Sequence, residues 1–171
     1  LVGALKGQEL INSARARNLA AQNSDIQAAY FGFVDRFRQV PGDMTPTEAC
    51  NAIGSANLPS GADCAGTPAV GGNGNGALDL DSYAESAALW AHLAGAGFLK
   101  GSYSGIATGD ADYLANTVSP VNVFNGRIML ARTAKYYDAG TPAPRVAYIF
   151  GSQVPVNILR ELDVKLDDGN P

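Results

Sequence analysis

The chain has 171 residues, 46% of them apolar, which suits one domain able to bury a substantial core. Only 16% are charged while 20 are glycine and 9 proline, a balance that points to long ordered loops rather than to a typical cytoplasmic enzyme. The net charge of -4 offers no basic footprint, so nucleic acid is not an expected partner.

No run of apolar residues within the chain is long enough to span a membrane, although the opening Leu1-Val2-Gly3-Ala4-Leu5 reads like the middle of a hydrophobic segment. From Glu9 to Gln39 there is no proline, and Leu19, Ile26, Tyr30, Phe33 and Phe37 recur at helical intervals. Arg15, Arg17, Asn18, Asp25, Arg36 and Arg38 fall mostly off that stripe, and Pro41 disfavours helical geometry in the residue before it. A helix of about ten turns reaches roughly 50 Å, more than a domain of this size needs. Leu19 to Phe37 is therefore expected to pack as a core helix, and Leu1 to Ala14, weakly patterned and interrupted by glycine, to stand out as a stalk.

Residues 41–80 read as an extended loop region with little periodicity. Cys50 and Cys64 lie within it, too far apart for a redox Cys-x-x-Cys, and a single histidine leaves a zinc site short of ligands. Two reduced thiols are the competing reading, but the segment has too little apolar content to bury them; a disulfide in an oxidising compartment is expected, worth roughly 3 kcal/mol in the chain-entropy picture. Asn73, Asn75 and Asp79, with the carbonyl of Ala77, partly imitate an oxygen-ligand calcium loop. Gly71 and Ser82 stand where its strongest carboxylates belong, so a tight Gly-Asn turn is the simpler reading.

Ser82, followed by Glu85, reads as a capping box opening a helix in which Tyr83, Ala87, Trp90 and Ala94 share a face and Gly95 or Gly97 makes the stop. Trp90 is thus expected in the core, Glu85 as a cap, and His92 as a structural or surface residue rather than a catalytic base. After an irregular passage, Val121–Phe124 and Arg127–Leu130 flank Asn125-Gly126, the preferred pair for a hairpin turn, and Val146–Phe150 adds a third antiparallel strand. The long helix is the expected cover for that sheet. Pro155 then opens a short helix with Ile158, Leu159, Leu162 and Leu166 on one stripe and Gly169 as a stop.

Four of these stretches occur together in one known family. Pro41-Gly42-Asp43, the run Gly72-Asn73-Gly74-Asn75-Gly76, Trp90-Ala91-His92-Leu93-Ala94-Gly95-Ala96-Gly97, and the closing Asp163-Val-Lys165-Leu-Asp167-Asp168-Gly169-Asn170-Pro171 appear in order across nearly the whole chain. In that combination the sequence resembles the bacterial type IV pilins and type II secretion pseudopilins.

The resemblance implies an α+β fold, a long N-terminal helix packed on an antiparallel sheet, with residues 1–40 as the C-terminal part of the helix and 41–171 as the globular head. It also implies a cleaved leader and an apolar half-helix ahead of Leu1, through which the protein would sit in the inner membrane and then pack with copies of itself and other pilins in a filament. Arg15, Arg17, Asp25, Arg36 and Arg38 would set register between neighbours or keep the stalk soluble.

Asp163, Asp167 and Asp168 form the densest carboxylate group, for which three readings compete. Glycosidic acid-base chemistry lacks a partner and a cleft. Calcium ligation is known in acidic C-terminal loops of some pseudopilins, and a hydrogen-bonded turn fastening the C-terminus is the structural alternative. No Gly-x-Ser-x-Gly, phosphate loop or two-histidine metal helix occurs, so no catalytic residue and no cofactor other than possible calcium is expected. Three functions follow: a structural subunit of a surface pilus serving adhesion, motility or DNA uptake; a periplasmic pseudopilin; and a minor pilin or tip binding module.

Overall fold

The computed structural model describes residues 2–59, 64, 70–115, 117–136, 140 and 142–166, with side chains from residue 6 to residue 164. Asp167, Asp168, the Gly169 stop and the two residues after it lie outside them.

Helix α1 runs from Val2 to Phe37, about 54 Å at 1.5 Å per residue. It stops before Pro41 because Arg38 takes a left-handed backbone, φ 57°. From Lys6 to Arg15 its side chains are exposed or half-buried, Leu10 at 72% and Ile11 at 55%, and continuous packing begins at Ala16. Two separate patches take the rest of its stripe. Ala16 and Leu19 pack with Ile158 and Leu162 of α5 (Val156–Leu166), whereas Ile26, Ala29 and Phe33 enter the main core.

At the centre of that core is α3 (Tyr83–Gly95), in which Glu85 to Leu93 are all buried. Ser82 caps its N-terminus by accepting the Glu85 N–H at 3.2 Å. The C-terminus closes through Gly97 at φ 82°, with Gly97 N–H on the Ala94 carbonyl at 3.0 Å and Phe98 N–H on that of Leu93 at 2.9 Å. Trp90, fully buried, donates from Nε1 to the Tyr113 hydroxyl at 2.7 Å, and that hydroxyl donates onward to the Ile128 carbonyl at 3.0 Å. Burial therefore leaves no polar atom of the indole unpaired.

The sheet is smaller than expected. Strand β1 (Met129–Thr133) pairs antiparallel with β2 (Arg145–Ile149), Ala131 opposite Ala147, and among the described residues these are the two strands. The expected Val121–Phe124 strand reduces to one bridge between Val121 and Arg127. Asn125 does turn, at φ 61°, but the neighbouring Asn122 side chain accepts the N–H groups of Phe124 and Gly126 and donates to the carbonyls of Phe150 and Ser152. Those bonds wrap the chain around a side chain where a ladder was expected. The sheet lies most directly against α3, and α1 meets it through the core all three share. The result is α+β, a long N-terminal helix over an antiparallel sheet.

Two further helices correct the loop assignments. Helix α2 (Pro46–Ile53) opens with Thr45 as N-cap and Glu48 returning to the Thr45 N–H at 2.9 Å, and α4 (Asp110–Ala115) interrupts the later irregular passage. Cys50 and Cys64 are joined in a disulfide, with Cα atoms 5.7 Å apart.

Candidate functional site

The motifs that lie far apart in sequence converge where α1 gives way to the head. Pro41, Gly42, Asp43 and Met44 are buried there although they form a turn. Gly42 adopts φ 93°, and a Cβ at that position would sit 2.4 Å from the Glu85 carbonyl oxygen and 3.1 Å from Leu89. Only glycine lets the turn lie directly on α3.

His92, with no exposed surface, holds the turn from the other side. Its Nδ1 accepts the Gly42 N–H at 3.0 Å and its Nε2 lies 3.3 Å from the Val70 carbonyl. An N–H aimed at Nδ1 requires a lone pair there, so the hydrogen belongs on Nε2 and donates to Val70. Burial pushes the imidazole pKa down to about 4, the Val70 bond opposing the shift. His92 is a neutral tie between the junction turn, α3 and Val70 at the entry to the glycine loop.

Asp43 ties the same loop. Its Oδ1 accepts the Asn75 N–H at 3.1 Å and its Oδ2 the Gly76 N–H at 2.8 Å, while its main-chain carbonyl accepts the Gly74 N–H at 2.8 Å. Buried, and with no ion pair among the described residues, this carboxylate is satisfied by backbone donors. Gly72 must also be a glycine, since a Cβ would meet the Asp43 Cα at 2.7 Å and Glu85 Oε1 at 2.7 Å.

Glu85 departs from the expected capping box. Ser82 does cap the Glu85 N–H, but the Glu85 carboxylate turns to the Asp79 N–H in the loop. Its pKa is raised, first by burial and then by the nearby charges of Asp79 and Asp43, against the lowering effect of the loop N–H groups.

The proposed calcium ligands of this loop are engaged with one another. Asn73 and Asn75 each donate an amide to Asp79, at 2.8 Å to Oδ2 and 2.8 Å to Oδ1, and their amide oxygens accept the N–H groups of Asn75 and Ala77. Among the described residues no cluster of three His, Cys, Asp or Glu side chains has the arrangement of a metal site. Asp163 lies half-buried on α5, away from this loop, and Asp167 and Asp168 fall outside the described residues.

The charged residues of α1 are dispersed. Arg15 lies 5.2 Å over the Phe124 ring, Arg17 reaches Ser13 at 3.4 Å, and Arg36 lies 5.1 Å over Phe37. Arg38 pairs with Asp35 at 3.3 Å with both side chains 81% exposed, and Asp25 is exposed beside Phe98 and Lys100. They decorate several faces and form no single patch.

A cavity of about 150 Å³ opens at the junction between Val34, Val40, Asp43, Met44, Glu48 and Gly74. It presents no nucleophile paired with a base. No known protein family, curated protein or solved structure matches the chain.

Proposed function

We propose that this protein is a structural subunit of a bacterial type IV pilus, a surface filament for adhesion, motility or DNA uptake, and that it catalyses no reaction. The observation that carries the reading is the junction. Of the four stretches that resemble pilins, the Pro41-Gly42-Asp43 turn bonds directly to two others, His92 of the Trp-x-His segment and the Gly72–Gly76 loop, and fastens a long helix to a head. Such a joint would keep a projecting helix at a constant angle to its head, which repeated heterologous packing needs if subunits are to add at one pitch.

The α1 segment before Ala16, with Leu10 and Ile11 exposed, is the surface on which copies of the protein and other pilins would pack. The disulfide suits an extracellular or periplasmic location, before assembly at the inner membrane through the apolar segment the resemblance implies. A periplasmic pseudopilin of a type II secretion system uses the same architecture and is the second reading; a minor pilin or tip binding module is the third.

Shearing cells that make the protein from its complete gene, and identifying the released polypeptides by mass spectrometry, tests the proposal. Surface filaments built from this chain are expected. Its recovery only from periplasmic filaments would select the pseudopilin, and its recovery only as a soluble monomer would overturn both.

A further inference from the structure

The loop bonded to Asp43 carries two Asn-Gly pairs, and a third lies at Asn125-Gly126. Asn-Gly is the dipeptide most prone to cyclise, because a glycine following asparagine puts no side chain in the path of its own nitrogen toward the asparagine carboxamide. In that reaction the Gly76 nitrogen bonds to Asn75 Cγ, the Cγ–Nδ2 bond breaks, and ammonia leaves carrying the proton lost from the glycine N–H. Water then opens the succinimide at either carbonyl to give aspartate or isoaspartate.

Each group that must move is held in the native loop. The Gly76 N–H is bound to the buried Asp43 carboxylate at 2.8 Å, the Asn75 amide donates to Asp79 at 2.8 Å, and its oxygen accepts the Ala77 N–H at 3.0 Å. The nucleophile is directed at Asp43 and the carboxamide is bonded at both ends, yet Asn75 itself is exposed and open to water. We propose that Asn75-Gly76 is a latent modification site, where Asp43 blocks succinimide formation so that deamidation records, irreversibly, a loosening of the helix-to-head junction.

The chemistry makes the step one-way. An aspartate at position 75 replaces the amide donor to Asp79 with a second carboxylate, and repulsion takes the place of a hydrogen bond. The isoaspartate product also lengthens the main chain by one methylene, in a loop whose N–H groups at 74, 75 and 76 must all reach Asp43. This inference does not depend on whether the protein assembles.

The other pairs serve as internal references. Gly74 donates to the Asp43 main-chain carbonyl, a bond a side-chain substitution leaves available, and Gly126 donates to Asn122 Oδ1 at 2.9 Å in a separate loop. Peptide mapping by mass spectrometry, at mildly alkaline pH and a temperature at which circular dichroism shows a folded chain, follows all three. Asn75 should deamidate at least about tenfold more slowly in the native than in the urea-denatured protein, as expected where the reaction waits on local opening. Asp43→Ala should accelerate Asn75 by about tenfold, the scale of a lost charge-assisted hydrogen bond, while leaving Asn125 nearly unchanged. If Asp43→Ala does not fold, Asp43→Asn, which retains one acceptor oxygen, should give a smaller acceleration at the same residue. Equal rates at Asn75 in folded and denatured wild type would overturn the proposal, as would slower deamidation in the Asp43 variants, which would make Asp43 the base that drives the attack.

Discussion

The imidazole Nδ1 of His92 and the main-chain N–H of Gly42, fifty residues apart, are 3.0 Å apart in a place closed to solvent. Protonating that nitrogen would replace an acceptor with a donor facing a donor. Because the folded-state pKa is lowered, to about 4 from 6.5, this group contributes stability that is complete above pH 6.5 and is lost as pH falls toward 4. The full loss is on the order of 3 kcal/mol. Glu85, raised by burial, works in the opposite direction, since it takes up protons more readily in the folded chain. Urea unfolding at pH 7 and pH 4 in wild type and His92→Gln separates the two: the variant, which keeps a donor and an acceptor but does not titrate, should show a much weaker pH dependence.

Trp90→Ala should cost about 3–5 kcal/mol, since it empties a fully buried site and removes the donor to Tyr113. Trp90→Phe should cost less, keeping most of the volume while losing the bond to the hydroxyl. Thermal unfolding measures both, and a nearly unchanged midpoint for the alanine variant would mean that Trp90 is not a core residue.

Reduction of Cys50–Cys64 should lower stability by roughly 3 kcal/mol, because the bond closes a loop with a sequence separation of 14. Intact-mass measurement with alkylation should find two reactive thiols only after reductant. The Thr47 hydroxyl donates to the Cys64 carbonyl at 2.8 Å, a bond that reduction does not itself remove.

Calcium should leave the melting temperature almost unmoved, because Asp79 already receives two amide donors and the asparagine oxygens are taken by main-chain N–H groups. Asp79→Ala should instead cost about 1 kcal/mol in the absence of any metal, the net worth of hydrogen bonds whose exposed amide donors pass to water. A rise of several degrees in millimolar calcium, abolished by Asp79→Ala, would relocate the function of this loop to ion binding.

Helix α1 and the role of Trp90 were legible because a long apolar stripe and a capped helix signal themselves locally. Helix α2 was legible too, in Thr45-Pro46-Thr47-Glu48, a capping sequence with proline at the first helical position, but the surrounding glycine and proline content masked it. The absence of a strand at Val121–Phe124 was not. Val121–Phe124 alternates as a strand should, and what prevents the ladder is one side chain, Asn122, bonding to carbonyls at 150 and 152. The junction was equally hidden: His92 gives no sign of its partner in its own helix, since Gly42 and Val70 reach it only through the tertiary fold.

The most direct test of the central reading concerns Ile11, 55% exposed on the part of α1 ahead of the packed region. With both native cysteines bonded to each other, a single Ile11→Cys supplies the accessible thiol, and Ala77→Cys on the exposed loop supplies a control. In the isolated chain both should react quickly with a maleimide. In material assembled by cells from the complete gene, Ile11→Cys should be protected by at least about tenfold, as burial between subunits requires, while Ala77→Cys stays reactive. Equal labelling of Ile11→Cys in the two settings would contradict packing through α1 and with it the proposed filament subunit.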